Sequence, residues 1–192
     1  MNTRLGIILV LILQFSIARS ADNYRVYSWE DALKSDPMEV FAISFEKLKL
    51  DTIPRQLTQF KRLRKLDLSK NKLASLPDFM YQLDSLEELN LSKNKFFNFP
   101  VQLCSMKNLK KLDLSRNQFA QIPDCIQYMI QLSYLDLSDT PVGSFPEAFV
   151  SMPQLRTLVL NGLSYPSSFQ LRWKERLPWM RIEFDAPCHC ME

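Results

Sequence analysis

A period of 23 residues runs through this 192-residue chain and constrains its fold more than any other feature. Prolines and asparagines mark the period, since each recurs 23 residues after the one before. They are Pro54, Pro77, Pro100, Pro123, Pro146, Asn71, Asn94 and Asn117. A fixed period of this length indicates a repeat array, in which each unit contacts only its neighbours. The pattern therefore predicts a stack of similar units.

The shared unit is L-x-x-L-x-L-S-x-N-x-L-x-x-L-P, and residues 63–77 fit it at every position. The alternation in L-x-L predicts a short strand, and successive strands would lie side by side in a parallel sheet. The asparagine amide after each strand can bond neighbouring backbone groups and form a ladder along the stack. Proline, with its fixed φ and no N–H, suits the start of a helical or 3₁₀ return segment.

This unit resembles the leucine-rich repeat family in its 23-residue form, whose repeats carry Leu-Pro. The resemblance covers residues 40 to about 184. It implies an α/β fold: a right-handed solenoid with a parallel sheet on its concave face. A helical entry without a cysteine-rich module is similar to small exported bacterial leucine-rich repeat proteins. Such a resemblance implies protein interaction.

The N-terminal 20 residues have the pattern of a secretory signal peptide. Arg4 precedes an apolar run over residues 5–18. Small residues, Ala18 and Ser20, then stand at the −3 and −1 positions before a cleavage site after Ser20. The alternative is an uncleaved membrane anchor, although the run is short for a bilayer span. We expect an exported mature chain without a transmembrane anchor, while periplasm, cell surface and external medium stay open.

Irregular ends predict caps on the stack, so we divide the chain into four parts. After the signal peptide (1–20), residues 21–39 form a helical cap in which Ser28 opens a capping box, and Trp29 and Leu33 cover the first strand. Residues 40–154 hold five repeats. Residues 155–192 hold a degenerate sixth repeat, a helix over 169–177, a strand over 177–184 and a tail.

Composition argues against several classes of function. With three glycines, the chain has no phosphate-binding glycine motif. His189 is the one histidine and lies three residues from the C-terminus, so the body of the chain lacks the usual base for nucleophilic catalysis. Cleavage would remove Arg4 and Arg19 and lower the net charge from +3 to +1, which gives no bulk attraction to nucleic acid. We expect no enzyme and no cofactor.

Four cysteines leave the disulfide state open, because export permits oxidation and three pairings exist. Cys104 and Cys125 fall on return segments of adjacent repeats, where they are either bonded or two free thiols. Cys188 and Cys190 flank His189 and offer at most three ligands, fewer than structural zinc requires, so we expect no metal site. A disulfide, an intermolecular link and an incidental tail all fit this pair.

Charges at the outward strand positions alternate in sign between repeats and favour ion pairs across neighbouring strands. An aspartate column beside them has the spacing of a glycosidase pair, but an open sheet excludes no water, so we interpret it as a solvated face. In the C-terminal half, the column of Lys65, Glu88 and Lys111 is predicted to continue with Tyr134, Thr157 and Trp179, and the aspartate column with Val159 and Arg181. Tyr134 and Trp179, with Arg156 alongside, are predicted to anchor a partner, unless Trp179 folds under the C-terminal cap. The predicted concave site comprises Arg64, Lys65, Asp67, Glu87, Glu88, Asn90, Lys110, Lys111, Asp113, Tyr134, Asp136, Arg156, Val159, Trp179 and Arg181.

A second basic column, with Lys47, Lys70, Lys93 and Arg116, is predicted along the sheet edge. It is either a strip for phosphate, an anionic polysaccharide or an acidic protein, or a solubilising edge. Together these patterns predict an exported, non-enzymatic module that binds a protein through its concave sheet. A glycan or anionic polymer is the less favoured ligand. The alternative function is a self-associating envelope or surface protein, and the oligomeric state stays open.

Overall fold

A computed structural model describes residues 24–186, which form one sheet of eight parallel strands paired in chain order. The inner residue of each central strand is buried, as the L-x-L alternation predicts. The strands are β1 (Val26–Ser28), β2 (Ala42–Ser44), β3 (Lys65–Asp67), β4 (Glu88–Asn90), β5 (Lys111–Asp113), β6 (Tyr134–Asp136), β7 (Thr157–Leu160) and β8 (Arg181–Phe184).

The 23-residue period sets the register between strands. Leu66, Leu89, Leu112 and Leu135 are paired in sequence from β3 to β6 and lie in one interior column. Side chains alternate across a strand, so the residues on either side of each leucine share the outer face of the sheet. The predicted tiling of the repeats into one sheet is confirmed.

The asparagine ladder follows the strands as predicted. The Asn94 amide nitrogen donates to the carbonyls of Leu68 (3.0 Å) and Leu91 (2.9 Å), while its Oδ1 accepts from the Leu73 N–H (3.0 Å). Asn71 and Asn117 make the equivalent bonds in their own repeats. Each amide therefore joins backbone groups of successive repeats that would otherwise be buried without partners.

Five 3₁₀ segments return the chain along the other side of the stack, and each begins directly after one of the periodic prolines. Every such proline has extended backbone geometry and no donor to lose, which fits its position before a helical turn. The segments are Arg55–Gln59, Asp78–Gln82, Val101–Ser105, Asp124–Tyr128 and Glu147–Ser151.

The N-terminal end is capped by helix α1 (Trp29–Leu33). Ser28 Oγ accepts from the Asp31 N–H (3.1 Å), which confirms the predicted start of the helix. The Trp29 ring packs 5.0 Å from that of Phe45. The prediction for Leu33 was wrong, because this side chain is 50% exposed. Strand β1, which pairs with β2 ahead of the first repeat, was not predicted.

The C-terminal end is capped by helix α2 (Ser167–Arg176), which begins two residues before the predicted start. Aromatic side chains surround it: the Phe145 ring lies 5.0 Å from Trp173 and 5.3 Å from Phe169, and Tyr165 stacks on Phe169 at 4.8 Å. The final strand is shorter than predicted. The signal segment and the Cys188–Cys190 tail lie outside the described residues.

Candidate functional site: the concave face

Two columns of outward-facing side chains cross the sheet and form the candidate site. The first column starts strands β3 to β8, and the second lies two residues farther along each of these strands. In register, the first is Lys65, Glu88, Lys111, Tyr134, Thr157 and Arg181, and the second is Asp67, Asn90, Asp113, Asp136, Val159 and Glu183. A third row just before the strands contains Arg64, Glu87, Lys110 and Arg156.

Two glutamates on β4 and its approach are each held between two cations, as the alternating signs predict. Glu87 accepts from Arg64 (3.1 Å) and from Lys110 (2.9 Å). Glu88 pairs in the same way with Lys65 (3.4 Å) and Lys111 (2.9 Å). Two anions thus bind four cations, so this part of the face keeps excess positive charge in a fixed array. Each exposed pair contributes little to stability, roughly 0–1 kcal/mol.

Backbone N–H groups in the turn after each strand hold the carboxylates of the second column in place. Asp113 Oδ1 accepts from the Ser115 N–H, and Asp136 Oδ1 from the Ser138 N–H, each at 2.9 Å. Asp113 and Asp136 are register neighbours. Burial, followed by the charge of Asp136, raises the pKa of Asp113 above its usual value. The face therefore has a basic side and an acidic side.

Tyr134 stands between these two sides. Its hydroxyl donates to Asp136 Oδ2 at 3.4 Å, and burial together with the neighbouring carboxylates raises its pKa to about 12. The phenol is therefore neutral at physiological pH. It presents a half-buried ring with a polar tip, a residue type that dominates many protein interfaces.

A shallow depression of about 380 Å³ occupies the sheet from β1 to β6. Its N-terminal end is lower because Ala42 and Ser44 stand where the next repeat carries Lys65 and Asp67. Val26 supplies exposed apolar surface at this end, whereas the leucines of the strands lie buried beneath the depression, and lysine, glutamate and aspartate side chains form the walls. This combination of apolar surface with polar walls is typical of a protein-binding surface.

Trp179 does not lie in the predicted column. Thr157 pairs with Arg181, so the last repeat is 24 residues long here, and the residue in line with Tyr134 is Arg181. The Trp179 indole N–H instead donates to the Met152 carbonyl (3.3 Å), which lies before β7. Of the two predictions for Trp179, this geometry matches the one in which the ring folds under the C-terminal cap rather than the one in which it anchors a partner.

Val159 and Arg181 also need correction. Val159 is in the predicted aspartate column but is buried, so it offers no contact surface. Arg181 moves to the Tyr134 column, and Glu183 takes its place among the carboxylates. The two side chains are paired at 3.1 Å. The difference arises because helix α2 replaces the 3₁₀ segment in the last repeat and changes its length.

An aromatic cluster at the N-terminal edge of the face was missed from the sequence. Tyr24 stacks on Phe41 with ring centroids 5.2 Å apart. The Arg62 guanidinium lies 4.6 Å from the centre of the Phe41 ring, and Arg64 lies 5.9 Å from that of Tyr24. The sequence contained a signal for this cluster, since Phe41 lies 23 residues before Arg64 and so occupies the equivalent position of the preceding repeat. Arginine over an aromatic face is stabilised by the ring quadrupole.

On the opposite side of the stack, Cys104 and Cys125 form a disulfide with a Cα–Cα distance of 5.6 Å. The bond joins two consecutive return segments. One of the three pairings left open by the sequence is therefore present in the structure. Within residues 24–186, no cluster of histidine, cysteine, aspartate and glutamate has the arrangement of a metal site. No helix in this range is both long and apolar enough to cross a bilayer.

Comparisons with known proteins agree with this geometry. The family model described as leucine rich repeat matches residues 61–119 and 107–162, which together span more than half of the chain. A solved structure of a leucine-rich repeat protein from Leptospira interrogans is similar, with 26% identity and a TM-score of 0.63. The match covers 85% of this chain and 49% of that one, so this chain spans about half its length. No curated protein matches significantly by sequence.

The chain belongs to the leucine-rich repeat family. Its parallel sheet and short return segments form the solenoid of that family, as predicted. This fold is generally a non-enzymatic scaffold for protein interaction, although fold alone does not give a function.

Proposed function

We propose that this chain is an exported, non-enzymatic module that binds a protein partner through the concave face. The observation that carries the proposal is the depression on the sheet, where exposed Val26 and half-buried Tyr134 meet charges fixed by ion pairs. The charged side chains are already ordered, so a partner would lose little conformational freedom on their account. The basic rows would orient the partner, and Tyr134 would be the central anchor.

Three corrections change the proposed contact set. Trp179 and Val159 leave it, because one folds under the cap and the other is buried. Tyr24 and Phe41 join it at the N-terminal edge of the depression, where cationic side chains cover their rings. The proposed surface therefore extends toward the N-terminal end of the stack.

The Cys104–Cys125 disulfide supports export. Disulfides persist in oxidising compartments and are rare in the reducing cytosol. The N-terminal sequence pattern independently predicts secretion. N-terminal sequencing of the exported protein tests this part: we expect a mature chain that begins at Ala21. A protein that is retained in the cytosol with residues 1–20 intact would contradict it.

Affinity capture with a matched pair of variants tests the concave site. The concave variant combines Tyr134→Ala with Lys111→Glu. The control combines Tyr128→Ala with Lys107→Glu, which makes the same changes at exposed positions of the return side. We expect the first variant to lose at least tenfold in affinity for the captured protein and the control to lose less than twofold. Equal affinities would refute the concave site, provided that circular dichroism shows both variants folded.

Self-association is the second candidate, and the outer edge of β1 favours it. Within the described residues β1 pairs only with β2, so its other edge is open. Val26 on this strand is exposed, and an open apolar edge can receive another strand. Sedimentation velocity separates the two functions. A mass that increases with concentration and falls to that of the monomer on Val26→Lys would favour self-association.

A further inference from the structure

A second surface lies where the chain leaves the sheet, and its side chains are sorted by strict alternation. Over residues 93–97 the pattern is exposed, buried, exposed, buried, exposed. Asn94 and Phe96 point into the stack, while Lys93, Lys95 and Phe97 point out together. The same alternation holds over 70–74 and 116–120. We call this surface the basic rim; its outward residues are Lys70, Lys72, Ala74, Lys93, Lys95, Phe97, Arg116, Gln118 and Ala120, with Lys47 and Lys49 at its N-terminal end.

Backbone hydrogen bonds hold neighbouring rows of the basic rim together. The Lys95 N–H donates to the Leu73 carbonyl (2.8 Å), and the Gln118 N–H to the Phe96 carbonyl (2.9 Å). With the asparagine ladder directly beneath, the rows are fixed relative to one another. The side chains of the basic rim are thus presented on an ordered backbone in parallel lines, which reduces the entropy lost on binding.

Lysine and arginine occupy a backbone conformation that does not favour them. Lys70, Lys93 and Arg116 have φ between 55° and 58°, in the left-handed region, and Lys47 and Lys49 also lie in that region. Glycine, asparagine and aspartate adopt this region most readily. Successive repeats therefore place a cation where the fold itself would be better served by another residue. The fifth repeat carries Asp139 at the same position, so this series of cations ends at Arg116.

Acidic neighbours neutralise only part of the basic rim. Glu46 binds Lys70 (2.6 Å) and Lys47 (3.2 Å), and the hydrogen bond from Lys70 lowers the pKa of Glu46. Asp139 binds Arg116 at 2.9 Å. Among residues 24–186, Lys49, Lys72, Lys93 and Lys95 have no ion pair, and two of them share the row of Phe97.

Phe97 is the most exposed large apolar side chain in the described part of the chain, at 72%. The corresponding positions of the adjacent repeats carry Ala74 and Ala120, so the ring stands above small neighbours. Phe96 beside it is fully buried and fills the interior position of this repeat. Phe97 therefore contributes nothing to the core and leaves an aromatic ring in water among lysines.

We propose that the basic rim binds an anionic membrane surface, with Phe97 in the boundary between headgroups and acyl chains and the free lysines on lipid phosphates. Exposed lysines beside an exposed phenylalanine suit peripheral membrane binding, because the lysines are attracted to anionic headgroups while the ring enters the interface. A soluble anionic polymer would use the lysines but leave the ring without a role. This surface is separate from the proposed concave site, so each can fail without the other.

Sedimentation of the purified exported protein with lipid vesicles tests the proposal. We expect binding to vesicles of phosphatidylcholine and phosphatidylglycerol mixed two to one, weaker binding in high salt, and little binding to phosphatidylcholine alone. The rim variant is Lys72→Gln, Lys93→Asn and Lys95→Gln. It should bind roughly 100-fold more weakly, because each lysine near an anionic surface contributes about a factor of five. Asparagine suits the left-handed backbone at position 93, so this variant should fold.

Matched controls separate a specific rim from general charge. Lys34→Gln, Lys61→Gln and Lys107→Gln remove the same charge from exposed positions elsewhere and should weaken binding less than threefold. Phe97→Ala should weaken it roughly tenfold, since burying a phenylalanine is worth about that much or more. Tyr128→Ala, at a similarly exposed aromatic residue, should have no effect. Equal losses from the two lysine sets would overturn the proposal. So would tight binding to soluble dextran sulfate without vesicle binding, or an unchanged affinity for Phe97→Ala.

Discussion

The central repeats and the C-terminal end of this molecule solve the same problem with different chemistry. In the centre, buried asparagine amides join the backbones of successive repeats. At the C-terminal end, rings of Phe145, Tyr165, Phe169 and Trp173 pack against one another around helix α2. The ladder needs a neighbour on each side, whereas the aromatic cluster closes on itself.

The transition between the two regions occurs at Thr140. Its hydroxyl accepts from the Asn117 N–H (3.2 Å) and donates to the Leu114 carbonyl (3.1 Å), so it ends the ladder with a shorter side chain. In the next repeat Leu163 stands at the asparagine position, and the Tyr165 hydroxyl donates to the Val142 carbonyl (2.7 Å). Polar bonding thus gives way to aromatic packing over two repeats. A repeat protein can end only where its last unit no longer needs the next one.

Removing a ring from the aromatic cluster should cause the largest loss of stability. Phe145→Ala deletes a buried ring that contacts four other aromatic side chains. We expect the free energy of unfolding to fall by about 4 kcal/mol. Urea unfolding monitored by tryptophan fluorescence measures the change. The exposed Phe97→Ala is the control and should change stability by less than about 0.5 kcal/mol. Similar losses from both would remove the distinction between cluster and surface.

A substitution in the ladder tests the other region. Asn94→Ala leaves the buried Leu73 N–H without its acceptor and removes one of the two asparagine donors from each of the Leu68 and Leu91 carbonyls, so we expect a loss of about 3 kcal/mol. Asn94→Thr should cost less, because Thr140 already serves this position. Circular dichroism in a urea titration measures both. An equal loss for alanine and threonine would show that a hydroxyl cannot replace the hydrogen bonds of the amide at this position.

Reducing the disulfide should cost a similar amount. The bond closes a loop of 21 residues, and the chain-entropy model gives about 3 kcal/mol for a loop of this length. We expect dithiothreitol to lower the urea midpoint of the protein. The double variant Cys104→Ala with Cys125→Ala should have the lower midpoint already and not respond to the reductant. A variant that still responds would place the sensitive bond elsewhere in the chain.

The smallest effect is a dependence on pH at the concave face. The folded pKa of Asp113 is raised by burial, so the folded state holds this proton more tightly than the unfolded state. The stability that protonated Asp113 contributes is therefore lost as pH rises from the pKa of this carboxyl in the unfolded state through its pKa in the folded state. Asp113→Asn should stabilise the protein at neutral pH but not in acid, below both values. Asn90 occupies the same column, so the substitution suits the sheet. Thermal unfolding at several pH values checks the crossover.

The repeat geometry could be predicted because proline and asparagine fix the phase of each unit. Once Leu66 and Leu89 are known to be 23 residues apart, their register and the ion pairs of Glu87 and Glu88 follow from alternation alone. The last repeat could not be aligned in this way. Its return segment is an α-helix, whose rise per residue differs from that of a 3₁₀ turn, so the number of residues before the last strand could not be inferred from the earlier repeats. Trp179 was therefore predicted in the wrong column.

The pairing of Cys104 with Cys125 was also beyond the sequence, since oxidation depends on the relative position of the side chains rather than on spacing. Phe97 was missed for a different reason. Its neighbour Phe96 occupies the periodic apolar position of the repeat. The two phenylalanines differ only in exposure, since Phe96 is buried and Phe97 is exposed. In a sequence of this kind, a large apolar residue outside the periodic positions is the signal that predicts an exposed ring.

The bond between Cys104 and Cys125 has a consequence for how the molecule withstands proteolysis. Strand β5 lies between the two cysteines in the chain. A protease that cuts the peptide backbone anywhere in that interval would leave the two fragments covalently attached, with the coils on either side still stacked. A cut in the middle of the sheet would then nick the protein without releasing either half.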